Sequence, residues 1–178
     1  MSGRVDTITL AGGCFWCVEA VFEHLRGVVD VRSGYSNGHA MAPTYEAVCA
    51  GGTGHAEVVQ VRFDPERLAL QDVLKVFFAI HDPTTRNRQG ADIGTQYRSG
   101  IYYTDETQLE VIARVLAEAN AELGGRVVTE VRPLANYSAA EAYHQHYFAN
   151  NPEQGYCAAV ISPKIEKFRK VFKDFLVE

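Results

Sequence analysis

Apolar residues along this chain recur with two different periods, and the order in which those periods alternate limits the fold more than any other feature. Residues 5–10 (VDTITL) alternate as a strand does and run into the turn signal Ala11-Gly12-Gly13. From Cys14 to about Arg26 the apolar positions Val18, Val21, Phe22 and Leu25 take helical spacing, and Gly27 closes the segment. Residues 28–35 and 55–63 (HAEVVQVRF) read as two further strands, separated by a polar, glycine-bearing loop, SNGHAMAPTY. Val73, Val76, Phe77 and Ile80 mark a second helix that stops before Asp82-Pro83. Residues 82–98 have no period and form a long loop, a length usually reserved for function or disorder. Beyond it the pattern predicts a short strand at 101–104, a helix at about 106–123 and a strand at 127–134. A helix at 139–149 and a last helix opening at Ser162-Pro163 follow, with Ile165, Phe168, Phe172 and Phe175 turned inward. Paired strands between helices favour an α+β two-layer sandwich with a split βαβ (ferredoxin-like) core and added helices over a doubly wound parallel sheet.

No linker or internal repeat divides the sequence, and 178 residues suit a single domain spanning 1–178. With 17 basic against 22 acidic side chains the net charge is −5, which argues against a general nucleic-acid binder. No apolar run approaches the length a membrane helix needs, and the N-terminus carries no secretory core. The chain is therefore expected in the cytoplasm, as a monomer, with its thiols reduced.

That setting makes the four cysteines informative. They are too few for a disulfide scaffold and too scattered for a four-cysteine zinc site. Cys14 sits in GGCFWC where a strand gives way to a helix. Free backbone N–H groups and the positive helix end favour a thiolate at such a place, although most free cysteines are simply small buried hydrophobes. Phe15 and Trp16 are core residues or the walls of an apolar pocket. Cys14 and Cys17 form a C-x-x-C, the pattern of a redox dithiol or half a zinc site. The second ligand pair that zinc requires is missing, because His144 and His146 at i and i+2 point to different sides of a helix. Glu57, in GHAE, is a solvated strand residue or, if it faces an aromatic pocket, a general acid with a raised pKa. Asp92, Tyr97 and Arg98 end the long loop, and Tyr45 alone reads as packing. The stretch AGGTG at 50–54 lacks the Lys-Ser/Thr of a phosphate loop. Cys157 lies in NNPEQGYC, an irregular segment from which a thiol could reach a distant sulfur.

GCFWCVE at 13–19, TGHAE at 53–57, GADIGTQYRS at 90–99 and NPEQGYC at 151–157 together resemble the A-class peptide methionine sulfoxide reductases, over nearly the whole chain. The resemblance implies that Cys14 is the nucleophile attacking the sulfoxide sulfur and Glu57 the proton donor to its oxygen. It implies that Tyr45 and Tyr97 hold that oxygen, that Asp92 orients the substrate's backbone amide, and that Phe15 and Trp16 house the ε-methyl group. Cys157 matches the resolving cysteine, which converts a Cys14 sulfenic acid to a disulfide that thioredoxin then reduces. The implied substrate is methionine S-sulfoxide, free or in proteins, with no metal and no organic cofactor.

Two positions depart from the family pattern. Cys17 stands where many members carry glycine, as a rival resolving thiol or a spectator, and no second C-terminal cysteine follows Cys157. Cys49 is expected to be packed and structural. A general disulfide oxidoreductase using Cys14 and Cys17, and a non-catalytic zinc or interaction module, are the other readings.

Overall fold

The computed structural model describes residues 4–151 and 153–172. Its centre is a six-stranded sheet in the order β7-β6-β1-β3-β2-β8. Strand β1 (Asp6–Gly12) leads through α1 (Phe15–Phe22) to β2 (Val28–Ser36), and β3 (Ala56–Phe63) lies between them, antiparallel to both. Two parallel strands joined by a helix, with a third strand inserted, are the split βαβ unit that the alternation of periods predicts. Helix α3 (Leu70–Ile80) then returns the chain to β6 (Ser99–Tyr103), antiparallel to β1 on its free side.

Alternation along β3 decides which face is buried. Val59, Val61 and Phe63 point into the main core, as does Glu57 in register with them, while Arg62 on the other face is exposed. The main core joins these residues to Phe22 of α1, Phe77 of α3, Ile112 of α4 (Leu109–Glu122) and Phe168 of α6 (Ser162–Val171), so the helices form one layer over the sheet. The opposite face carries a small cluster of Ala11, Ala56, Val58 and Tyr102, covered by Leu134 and Tyr137. Strands β7 (Glu130–Pro133), parallel to β6, and β8 (Ser138–Ala139), antiparallel to β2, extend the two edges. The fold is thus the α+β sandwich expected.

Several expected boundaries shift for identifiable reasons. The helix after Cys14 ends at Phe22 rather than near Arg26, and tighter i→i−3 bonds at His24 and Leu25 carry the chain to Gly27 at φ 94°. Where the expected loop SNGHAMAPTY ends, at Tyr45, a short helix that the periodicity does not predict begins, α2 (Tyr45–Ala50). Thr44 Oγ1 caps it by accepting from Ala47 N at 3.2 Å, and Gly51 closes it in the left-handed region. The long loop holds a two-residue hairpin, β4 (Arg88–Gln89) and β5 (Asp92–Ile93), and a 3₁₀ turn at Thr95–Tyr97. The strand expected at 127–134 shortens to β7.

The helix expected at 139–149 does not form. In its place are the end of β8, a 3₁₀ turn at Ala142–His144 and a four-residue helix, α5 (Tyr147–Asn150). The Gln145 side chain pulls the backbone out of helix by pairing with Ser33: its Oε1 accepts from Ser33 N and its Nε2 donates to Ser33 O, both at 2.9 Å. His146 follows at φ 55°. The last helix is preceded by a π-turn at Cys157–Ile161, so Ser162 is not a cap, and its hydroxyl instead donates to Cys157 O at 3.2 Å. Phe175 lies outside the described residues.

Gly13, at φ 93°, makes the turn from β1 into α1, and a Cβ there would meet Gln89 Cγ at 2.6 Å. Gln89 itself holds the long loop by accepting from Asp82 N at 2.8 Å. Gly13→Ala is expected to cost about 1–3 kcal/mol, from strain and displacement of Gln89, read as a lowered midpoint in urea unfolding.

Candidate active site

Cys14 follows Gly13 between the end of β1 and the first turn of α1, half-buried, with no side-chain cap bond of its own. One residue on, the Phe15 amide is an unsatisfied helix N-terminal donor, and it donates to Glu57 Oε1 at 3.2 Å. Glu57 is the second residue of β3, and it lies in register with Tyr35 of β2, whose ring centroid is 5.6 Å from that of Phe15. Inward register buries the carboxyl to 1% exposure and raises its pKa to about 8. Burial is the main cause. The Phe15 bond opposes it, while negative charge at Asp92 and Cys17 adds to it. Glu57 therefore keeps its proton at neutral pH. Its second oxygen, Oε2, is buried without a partner.

The two thiols beside it are shifted in opposite directions. Cys14 and Cys17 are hydrogen-bonded through their sulfurs and titrate as a pair. The bond from Cys14 is the first cause that lowers Cys17 to about 7, with Lys164 and the Tyr156 hydroxyl helping against burial. Cys14 is held well above the ordinary thiol range by that same bond, then by burial and by charge at Cys17 and Glu57. A proton is shared between two sulfurs while the nearby carboxyl stays neutral, an inversion of the usual order of acids.

The other expected residues collect around this centre. Tyr45, the first residue of α2, is ring-stacked on Phe15 at 6.3 Å and on Trp16 at 6.2 Å. Tyr97 ends the 3₁₀ turn. Burial raises both hydroxyls first, and charge at Glu57 next, so they keep their protons and serve as hydrogen-bond donors. Asp92 opens β5, and its Oδ2 accepts from Tyr156 OH at 2.9 Å; the same hydroxyl is 3.8 Å from Cys17 Sγ. Cys157 is fully buried at the start of the π-turn, its thiol raised by burial and then by charge at Cys17. All four cysteines are free. Cys49, expected to be packed, is exposed on α2, one turn beyond Tyr45 and hydrogen-bonded to it. Arg98 does not join the site. It donates to Glu130 Oε1 at 2.8 Å and ties the long loop to β7.

A cleft of about 570 Å³ opens on Cys14, Asp92 and Tyr156 between the end of α3 and α6, with Phe78 and Phe168 in its wall and Lys164 at its side. Glu57, Tyr45 and Tyr97 do not line it. Sequence reasoning missed Glu141, whose carboxylate accepts from Tyr35 OH at 2.8 Å and Tyr45 N at 3.0 Å and so sets the start of α2. It also missed His144, Tyr147 and Tyr156, whose aromatic spacing in YHQHY and GYC is the visible signal. Among the described residues, Glu19, Glu23 and His146 bring three possible metal-ligand atoms within 4.8 Å of one another. Glu19 already accepts from Ser33 Oγ and Tyr147 N, and His146 pairs with Glu23. No cysteine belongs to that group. No helix among the described residues is long and apolar enough to cross a membrane.

A nucleophile-bearing helix start, a paired thiol and a neutral carboxyl across from it define a thiol-dependent oxidoreductase. The family model described as peptide methionine sulfoxide reductase matches residues 6–176. The chain is 52% identical over 171 residues to the peptide methionine sulfoxide reductase MsrA of Thermus thermophilus, covering 96% of this chain and 97% of that protein. Its fold is similar to the reduced form of Mxr1 from Saccharomyces cerevisiae, with TM-score 0.81 and 37% identity over 88% of this chain and 91% of that one. It is also similar to Mxr1 in complex with Trx2, with TM-score 0.57 and 28% identity over 83% and 87%. The chain belongs to the A-class peptide methionine sulfoxide reductases, and it reduces methionine sulfoxide by thiol chemistry at a catalytic cysteine.

The raised pKa of Glu57 carries a stability consequence. The unfolded chain releases this proton near 4.5 and the folded one only at about 8, so the folded state binds more protons between those values. Stability contributed by Glu57 is present below that window and lost as pH rises through it. Glu57→Gln cannot ionise, so it is expected to melt above the unaltered protein at about pH 9 and to differ little at about pH 5.

Proposed function

We propose that Cys14 is the attacking thiol, acting on methionine S-sulfoxide, and that Glu57 is the acid that makes the attack possible. The observation that carries this is the buried, protonated carboxyl bonded to Phe15 N beside Cys14, with Oε2 left unpartnered. A sulfoxide is a poor electrophile until its oxygen is protonated. When substrate docks, the shared proton passes to Cys17 and Cys14 becomes the thiolate. The sulfur of Cys14 then bonds to the sulfoxide sulfur while Glu57 Oε2 gives its proton to the oxygen, which the Tyr45 and Tyr97 hydroxyls hold. Transfer of that oxygen to Cys14 releases methionine and leaves a sulfenic acid, so the sulfoxide is reduced to methionine and the thiol oxidised. Phe15 and Trp16 enclose the methyl group, and Asp92 receives the substrate's backbone amide in exchange for the Tyr156 hydroxyl.

The Cys157 thiol condenses with the sulfenic acid, forming a disulfide and releasing water. A thioredoxin-type dithiol then reduces that disulfide by exchange. The likeness to Mxr1 bound to Trx2 supports such a partner. The chain works as a monomer in the cytoplasm, on free or protein-bound substrate.

One observation favours a second reading of the resolving step. Cys17 is hydrogen-bonded to Cys14, and charge at Cys17 is felt by the Cys157 thiol. On that reading a Cys14–Cys17 disulfide forms first and is passed to Cys157.

Cys14→Ser is expected to abolish reduction of the S epimer; turnover retained in that variant overturns the assignment. Glu57→Gln is expected to lower kcat/KM by about 10²–10⁴-fold, and kcat/KM of the unaltered enzyme to fall as pH rises through about 8. Cys157→Ser should perform one stoichiometric turnover and fail to recycle with thioredoxin. Peptide mapping after a single turnover separates the routes: a Cys14–Cys17 bond in Cys157→Ser supports the relay, and a persistent sulfenic acid supports direct resolution by Cys157.

A further inference from the structure

The cleft beside Cys14 leads away from the groups assigned to the sulfoxide oxygen. It meets the site at Cys14, Asp92 and Tyr156, whereas Glu57, Tyr45 and Tyr97 lie outside its lining. From there about 570 Å³ extends between the end of α3 and α6, a volume that suits several residues rather than one side chain. Asp92 stands at the junction. A substrate whose backbone amide reaches Asp92 has its polypeptide at the mouth of the cleft while its sulfoxide turns toward Glu57. Gly90 and Ala91 line the cleft beside Asp92, and a Cβ at Gly90 would meet nothing within 4 Å, so this rim is open to an approaching backbone.

The two walls differ in charge. The end of α3 contributes Phe78 and Ile80, followed by Asp82, whose carboxylate is engaged in its own turn by accepting from Thr84 N at 2.9 Å. Helix α6 contributes Lys164, Lys167 and Phe168, which at spacings of three and four residues share one face. Phe168 is buried, Lys164 half-buried and Lys167 exposed, so this wall grades from an apolar floor to a charged lip. Neither ammonium has an ion-pair partner among the described residues. The charge of Lys164 is felt inside the site, where it helps to lower the Cys17 thiol and the buried His81. Two unpaired cations above an apolar floor are complementary to a carboxylate on a short apolar stem.

We propose that this cleft takes the polypeptide flanking the methionine sulfoxide, and that Lys164 and Lys167 select segments of oxidised proteins that carry an acidic residue there. This rests on the reading of Cys14 as the nucleophile and of Asp92 as the receiver of the substrate's amide. The enzyme then discriminates among protein-bound sulfoxides by their neighbours, through groups that take no part in the oxygen transfer.

Blocked peptides with one methionine S-sulfoxide among glycines and serines, and a single Glu, Gln or Lys at each flanking position in turn, probe the cleft. Dithiothreitol as reductant keeps thioredoxin out of the assay. At the favoured position the unaltered enzyme is expected to show kcat/KM about two- to fivefold higher for the Glu than for the Gln peptide. The difference should lie in KM and fade in high salt. Lys167→Gln should remove most of the preference, and Lys167→Glu should reverse it in favour of the Lys peptide. Each ratio compares two peptides on one enzyme, so the effect of Lys164 on the thiols cancels, and Lys164→Gln should lower the ratio too. The proposal is overturned if no position favours Glu over Gln, or if Lys167→Glu leaves the preference as it was. It is overturned as well if Lys167→Glu spares the peptides and raises KM for thioredoxin, since the cleft is then the reductant's dock. If Cys14→Ser still turns the peptides over, the reading of Cys14 fails and takes the proposal with it. If Cys14→Ser is inert and the unaltered enzyme shows no preference, the proposal alone fails.

Discussion

The contact between the Phe15 amide and the Glu57 carboxyl is the constraint on which the site depends. It ties the first turn of α1 to the middle strand of the split βαβ unit, and it does so with a group that must remain buried to remain useful. Burial holds the proton on Glu57 up to about pH 8, while the Cys14–Cys17 pair gives up its first proton at about 7. In water the order would be reversed by several units. Acid and nucleophile are thus available together near neutrality, and each depends on the same exclusion of solvent.

The topology explains why these groups meet. Insertion of β3 between β1 and β2 carries Glu57 to within one hydrogen bond of a helix start 42 residues earlier. The hairpin of β4 and β5 brings Asp92 in from below α3, and Tyr156 closes the gap by bonding Asp92 and approaching Cys17. Three segments distant in sequence therefore converge on one helix end, and the helix end supplies the unsatisfied N–H groups that make convergence worthwhile.

Much of this could be read from the sequence. Periods of 2 and 3.6 located the four core strands and the helices α1, α3, α4 and α6, because each of these buries one continuous apolar face. The sequence alone leaves Glu57 either solvated or turned toward an aromatic pocket. The deciding residues are Val59, Val61 and Phe63, which share its parity and are wholly buried. The misread segment at 139–149 failed for a different reason. Its residues favour helix locally, but Gln145 satisfies the Ser33 backbone 112 residues away, and no local pattern encodes a bond of that span. Cys49 is exposed because α2, a six-residue helix, turns Val48 and Tyr45 to the core and leaves Cys49 on its outer side. The four motifs named the chemistry; the cleft between α3 and α6 became visible only in three dimensions.

Insertion of β3 also has a consequence in time. Cys14 is made early, but the strand that carries its acid follows it by some forty residues and the buried Cys157 by far more. Until β3 has slid between its neighbours, Cys14 is an ordinary exposed thiol and Glu57 an ordinary ionised carboxylate, so neither has the property that the folded site gives it. The activated thiol and its acid therefore exist only in a molecule whose β3 is paired with both β1 and β2.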